Sequence, residues 1–195
     1  MSELILASAS PRRADLLRTL GVEFEVAAVD IDESVLDGEA PVDYVGRLAR
    51  HKALVARQQT SRSQVILAAD TTVSLGQDIF GKPRDKAHAV AMLMRLSNGW
   101  HEVLSGIAVC TADDQLTVET VTTRVHFVSL TRASLERYWD TGEPADKAGA
   151  YGIQGLGGAF VDRIEGSYSN VVGLPLAQTR RMLGDAGISG LLDRV

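Results

Sequence analysis

A short apolar run, Leu4-Ile5-Leu6-Ala7, passes directly into Ser8-Ala9-Ser10-Pro11-Arg12-Arg13 and then into Leu16 and Leu17. This order predicts a buried strand handing the chain through a hydroxyl-rich turn into a helix. Pro11 suits the first helical position, where its missing N–H costs nothing, and Ser10 before it can cap the freed amides. Those amides, the positive helix end and the adjacent guanidinium groups of Arg12 and Arg13 give the turn the makings of a phosphate site. Taken alone, the segment also suits an ordinary capped helix with two solvated arginines.

A chain of 195 residues with 45% hydrophobic content can bury a substantial core, and one domain over residues 1–195 is expected. No stretch approaches membrane-spanning length, and no basic region precedes a long apolar segment at the N-terminus. A cytoplasmic protein with neither membrane partner nor signal peptide is therefore expected. Cys110, the single cysteine, allows no internal disulfide and sits in an apolar, strand-like stretch that suits a buried inert thiol. A net charge of −5 argues against a general nucleic-acid binder, so the local basic clusters call for a small anionic partner.

The pattern along the chain is α/β. A first helix is predicted from Pro11 to Leu20, stopped by Gly21, followed by a strand through Phe24, Val26 and Val29 and an acidic turn, Asp30-Ile31-Asp32-Glu33. Val42 to about Gln58 reads as a helix whose apolar stripe holds Val45, Leu48, Ala49, Val55 and Ala56, with Lys52 inside it. Val65 to Ala69 reads as a central strand with Asp70 directly at its carboxyl end, where open α/β sheets bind ligands. Gly76-Gln77-Asp78 then predicts a hairpin that returns Lys82 towards Asp70. Asp85 caps the next helix, which carries Ala89, Met92, Leu93 and Leu96 and ends near Asn98-Gly99. Residues 101–130 predict two long antiparallel strands around an Asp113-Asp114 turn. A helix from Thr131 to Asp140, a tight glycine-rich loop from Gly152 to Gly158, a strand around Ala159 to Ile164 and a helix after Pro175 complete the chain.

Asp70, Glu33 and Asp32 are the acidic candidates for chemistry, and Arg12, Arg13, Lys52 and Lys82 the basic ones. Together they have the composition of a metal-phosphate site, in which hard oxygen ligands suit Mg²⁺ or Mn²⁺ and cations neutralise the remaining phosphate charge. Singly, each has a plainer reading: Glu33 as a solvated loop acid, Lys52 as a snorkelling lysine, Lys82 as a surface charge. Asp70 either caps a turn or reaches for a ligand. His51, His88, His101 and His126 form no i, i+4 pair and have no cysteine companions, so a zinc site is not expected, and no Gly-x-Ser-x-Gly elbow offers a serine nucleophile.

Six segments carry a resemblance over nearly the whole chain: Ala7 to Arg13, Leu48 to Ala53, Ala69-Asp70-Thr71, Gly81-Lys82-Pro83, Asp146 to Gly155, and Gly166 to Pro175. In this combination the chain resembles the Maf family of nucleoside triphosphate pyrophosphatases. The resemblance implies a twisted mixed β-sheet flanked by helices, related in shape to inosine triphosphate pyrophosphatases, and a homodimer. It also implies metal-dependent hydrolysis to a nucleoside monophosphate and pyrophosphate, which keeps non-standard or excess pyrimidine nucleotides from being incorporated. Carried over residue by residue, Asp70 is the catalytic acid, Glu33 lies in the metal region, and Ser8, Arg13, Lys52 and Lys82 contact phosphate. Arg12, Thr71 and Gln154 correspond to positions tied to substrate choice, and their identities are similar to the branch acting on dTTP and UTP, not the one acting on 7-methyl-GTP. The one departure noted is Ala9, where relatives often carry glycine; alanine fits unless the backbone there needs positive φ. The rival readings are a non-catalytic regulator of septum formation in cell division, a 7-methyl-GTP pyrophosphatase and a nucleotidyl transferase.

Overall fold

The computed structural model describes residues 3–61 and 63–193. Its strands are β1 (Leu4–Ala7), β2 (Glu25–Val26), β3 (Val65–Leu75), β4 (Asp78–Phe80), β5 (Trp100–Cys110), β6 (Leu116–Phe127) and β7 (Val161–Glu165). They form one mixed, twisted, seven-stranded sheet in the order β2-β1-β3-β5-β6-β7, with β4 paired to β3. β1 is parallel to both β2 and β3, whereas β3 with β4 and β6 with β7 are antiparallel. The helices are α1 (Pro11–Thr19), α2 (Pro41–Gln59), α3 (Lys86–Leu96), α4 (Arg132–Asp140), α5 (Tyr168–Val172) and α6 (Leu176–Asp185). Among the described residues, no helix is long and apolar enough to cross a membrane.

The contacts divide the chain into two compact units, the first comprising Met1–Asp70, Ser105–Val121 and Gly173–Val195, the second Thr71–Leu104 and Thr122–Val172. In the first unit, strand parity sorts the core. Leu4, Leu6, Val65, Leu67 and Ala69 share one cluster with Leu17 of α1 and Met182 and Leu183 of α6. Ile5, Ala7, Ile66 and Ala68 share another with Ala49, Ala53 and Ala56 of α2. Successive strand residues point to opposite faces, so both faces are covered and the strands read as unbroken apolar runs. The alanine stripe lets α2 lie close to the sheet. Closest of all is Gly106 on β5, where a Cβ would overlap the backbone carbonyl of Val45.

In the second unit, Ala89, Met92, Leu93 and Leu96 of α3 pack with Leu135 and Tyr138 of α4 and with Val103, Val125 and Phe127. Phe127 lies edge-on to both His101 and Tyr151, at ring separations of 4.6 and 4.8 Å. The buried Asn170 amide donates to Val103 O and Thr123 Oγ1, each at 3.0 Å. It thereby ties α5 to strands β5 and β6.

The sequence expectations hold for α1, α2, α3, α4, α6 and the β3–β4 hairpin, and Cys110 is buried as expected. Three boundaries differ. The strand expected through Val29 is only Glu25–Val26, because its partner β1 leaves the sheet after Ala7 and the pairing runs only through Ile5↔Glu25 and Leu6↔Val26. The strand expected near Ala159 begins at Val161, since Leu156–Phe160 forms a 3₁₀ turn first. Most consequentially, β3 does not end at Ala69. It continues to Leu75, so Asp70 lies within the strand and not at its carboxyl end. The reason is an exchange of partners: the ladder with β1 ends at Ala7↔Ala68, and the ladder with β4 begins at Val73↔Phe80. It is β1 that stops here, and β3 carries Asp70 two residues past the last pair, Ala7↔Ala68.

Candidate active site

The site in the first unit begins where β1 stops. Ser8 Oγ accepts from the Ser10 N–H and from Arg13 Nη1, both at 3.2 Å, and Ser10 Oγ caps α1 by accepting from the Arg13 N–H at 3.4 Å. Arg13 Nε donates to Gly173 O at 2.9 Å, so the guanidinium is gripped from two sides. Burial pulls its pKa below the ordinary range, the charge of Asp70 opposes that shift, and Arg12 adds to it. It remains protonated at neutral pH and, being desolvated, gains strongly from an anion. Ala9 is not among the positive-φ residues, which accounts for its fit where glycine is often found.

Parity and helical period together build the second part. Asp70 follows Ile66 and Ala68 on the α2 side of β3, and Lys52 follows Ala49 and precedes Ala53 and Ala56 on the stripe of α2 that faces it. Lys52 Nζ lies 2.7 Å from Asp70 Oδ1 and 2.6 Å from Glu33 Oε1. Lys52 and Asp70 are 8% and 7% exposed, whereas Glu33 approaches from an exposed loop. One buried ammonium therefore holds two carboxylates together.

The loop bearing Glu33 is itself held by α2. Tyr44 Oη donates to Glu33 O at 2.9 Å, while Arg47 bonds the Glu39 carboxylate and donates to Ser34 O at 2.9 Å. Burial, reinforced by the charges of Asp70 and Glu33, pushes the Tyr44 hydroxyl up to about 12. Asp32, the third acidic candidate, instead accepts from the Ser34 N–H at 2.8 Å, a local turn contact that lowers its pKa.

Among the described residues, no group of three or more His, Cys, Asp or Glu side chains is arranged to hold a metal ion. The donor set that does converge is the Glu33–Asp70 pair. Two hard carboxylates suit Mg²⁺ or Mn²⁺, ions that take few protein ligands and complete their shell with water and phosphate oxygen.

The remaining sequence candidates belong to the second unit. Thr71 follows Asp70 on β3 and is half-buried, and Lys82 is exposed just beyond β4. Gln154 is exposed in a turn closed by Gly155 N–H donating to Gly152 O at 3.3 Å. Residues that sequence reading did not single out support this turn. Glu143 accepts from the Gly157 and Leu156 N–H groups at 3.0 and 2.8 Å and from Tyr138 Oη at 2.7 Å. Burial opposes ionisation of Glu143, but these donors outweigh it and hold its carboxyl below the usual range. The acceptor roles of Glu143 and Tyr138 depend on backbone amides of a distant segment, which no local sequence pattern reveals.

Residues 3–186 match the family model described as Maf-like protein. The chain belongs to the Maf family. Curated relatives named dTTP/UTP pyrophosphatase include one from Hahella chejuensis, 54% identical over 187 residues that cover 95% of this chain and 92% of the relative. Another, from Methylobacillus flagellatus, is 50% identical over 190 residues, covering 97% and 95%. A third, from Vibrio cholerae, is 47% identical over 184 residues, covering 94% and 97%. Among solved structures, the Ham1 protein of Staphylococcus aureus shares the fold of this Maf protein, with a TM-score of 0.51 at 14% identity over 97% of this chain and 92% of that one.

Proposed function

We propose that this Maf protein hydrolyses dTTP and UTP at the α–β phosphoanhydride, releasing a nucleoside monophosphate and pyrophosphate, with residues 1–195 acting as one catalytic domain. The observation that carries the reading is the buried Lys52 ammonium shared by Asp70 and Glu33, in the same unit as the Ser8–Arg13 anion turn. The names of the relatives supply the substrate class.

In this mechanism Arg12 and Arg13 receive phosphate oxygens at the α1 N-terminus, where helix amides add positive potential. Asp70 orients a water for in-line attack on the α-phosphorus and takes its proton, while the bond to the β-phosphate breaks and pyrophosphate leaves. Lys52, 2.7 Å from Asp70 Oδ1, holds the carboxylate in place for that role. Lys82 meets the charge on the departing pyrophosphate. A divalent ion, Mg²⁺ or Mn²⁺, held by Glu33 and Asp70 would supply Lewis-acid stabilisation of the phosphate oxygens. Gln154 suits the pyrimidine edge: its amide oxygen accepts from N3–H and its NH₂ donates to O4 of uracil or thymine, with Thr71 and Arg12 shaping the same choice.

The test is hydrolysis of dTTP, UTP, CTP and 7-methyl-GTP with and without added Mg²⁺ or Mn²⁺, products being followed by phosphorus NMR. Monophosphate and pyrophosphate from dTTP and UTP are expected, only with metal present. Release of orthophosphate, or preference for 7-methyl-GTP, would overturn the assignment. The homodimer implied by the family resemblance and the cytoplasmic location expected from the sequence pattern belong to the same proposal, the first checked by sedimentation equilibrium and the second by cell fractionation.

A further inference from the structure

The glycine-rich stretch that carries Gln154 folds around a single carboxylate. Its turn has Ile153 and Gln154 at the two central positions between Gly152 and Gly155. At the first foot of the turn, the Gly152 N–H donates to Tyr138 Oη at 3.1 Å. At the second foot, the Leu156 and Gly157 N–H groups donate to the two oxygens of Glu143. Tyr138 Oη in turn donates to Glu143 Oε1 at 2.7 Å, so both feet end on the same group.

The glycines mark where the loop closes on this clamp. A Cβ at Gly155 would overlap Glu143 Oε2, one at Gly157 would lie 2.6 Å from Tyr138 Oη, and one at Gly152 would lie 2.7 Å from Lys147 Cε. Glu143 is fixed in its own right, since its backbone carbonyl accepts from Lys147 Nζ at 2.6 Å. Three donors converge on its two oxygens, a demand that only an acceptor-only side chain meets.

We propose that Glu143, with Tyr138 as its relay, is the positioning residue that fixes the backbone from which Gln154 reaches the base, and thereby bears on the choice between uracil-type and cytosine bases. The proposal rests on the reading of Gln154 as the base contact. An amide pairs with uracil or thymine in one orientation and with cytosine when flipped, so discrimination needs the glutamine held at one distance and angle to the base, which its backbone frame sets. In Glu143→Gln, an NH₂ faces an N–H or O–H donor wherever it is placed, and the frame loosens. In Tyr138→Phe, the relay between the two feet is cut.

The experiment compares kcat and KM for UTP and CTP in Glu143→Gln, Tyr138→Phe and Gln154→Ala, alongside amide hydrogen exchange at Leu156 and Gly157. In both clamp variants the UTP-over-CTP ratio of kcat/KM falls about tenfold through a raised KM for UTP, with kcat within about twofold of the parent. Exchange at Leu156 and Gly157 accelerates in Glu143→Gln. An equal loss for both nucleotides, with kcat lowered and the ratio unchanged, would show a merely structural role and overturn the proposal. So would an unchanged ratio in the clamp variants when Gln154→Ala abolishes it, an outcome that leaves Gln154 as the base contact. An unchanged ratio in Gln154→Ala overturns the base-contact reading itself, and this proposal with it. If Glu143→Gln fails to fold, Tyr138→Phe decides by the same ratio.

Discussion

Lys52 Nζ and Asp70 Oδ1 lie 2.7 Å apart, with both side chains nine-tenths removed from solvent. The pair exists because an α2 stripe position and an even-numbered β3 position face each other, and Glu33 shares the same ammonium from its loop.

Asp70→Asn keeps an oxygen that accepts from Lys52 but cannot take a proton from water. We expect kcat to fall about 100-fold or more, with the melting temperature shifted by only a few degrees. Steady-state kinetics on UTP and a thermal melt check both parts; near-full turnover would remove Asp70 from the reaction.

Lys52→Met leaves the Asp70 carboxylate buried and facing the like charge of Glu33. Breaking a buried pair in this way costs about 3 kcal/mol or more at pH 7.5. Urea denaturation at pH 7.5 should show this loss as a lowered midpoint, and a parental midpoint would refute this account.

Gly106→Ala drives a methyl group into the Val45 carbonyl on the backbone of α2. The helix must shift away from the sheet, at a cost of about 2–3 kcal/mol. Since α2 carries Lys52, activity should fall even where the protein is fully folded. A variant with parental stability and parental kcat would contradict the close packing described here.

His101 is buried against Phe127 and Tyr151, its Nε2 is 2.9 Å from Tyr151 Oη, and burial lowers its pKa to about 4. Between the unfolded value near 6.5 and that folded value, the unfolded chain binds a proton that the folded one refuses. This residue therefore makes no difference to stability above pH 6.5 and destabilises progressively as pH falls through the window, by about 2–3 kcal/mol at pH 4.5. His101→Gln should flatten the stability profile between pH 6.5 and 4.5; an unchanged slope would show that His101 is not the group responsible.

The elements of the first unit were largely readable because their signals are local. Ser10 and Pro11 announce α1, and the apolar stripe around Lys52 announces α2. In β3, Asp70, Thr71, Thr72 and Ser74 are polar residues of the kind that usually end a strand. Thr72 and Ser74 are nonetheless 2% and 0% exposed, their small polar side chains enclosed by tertiary packing that no period reveals. The grouping of Asp70, Glu33 and Lys52 was suggested by residue types and family resemblance, but the sharing of one ammonium depends on matched register between helix and strand. Tyr44 and Glu143 escaped notice because their bonds are made to backbone groups.

The interior position of Asp70 on an eleven-residue strand bears on how the protein fails. A side chain on a surface loop can be lost to fraying while the rest stays intact; Asp70 instead sits on a strand buried along most of its length. Heat inactivation and whole-molecule melting should therefore trace one curve, and the Asp70 amide should exchange with solvent only at the rate of global opening.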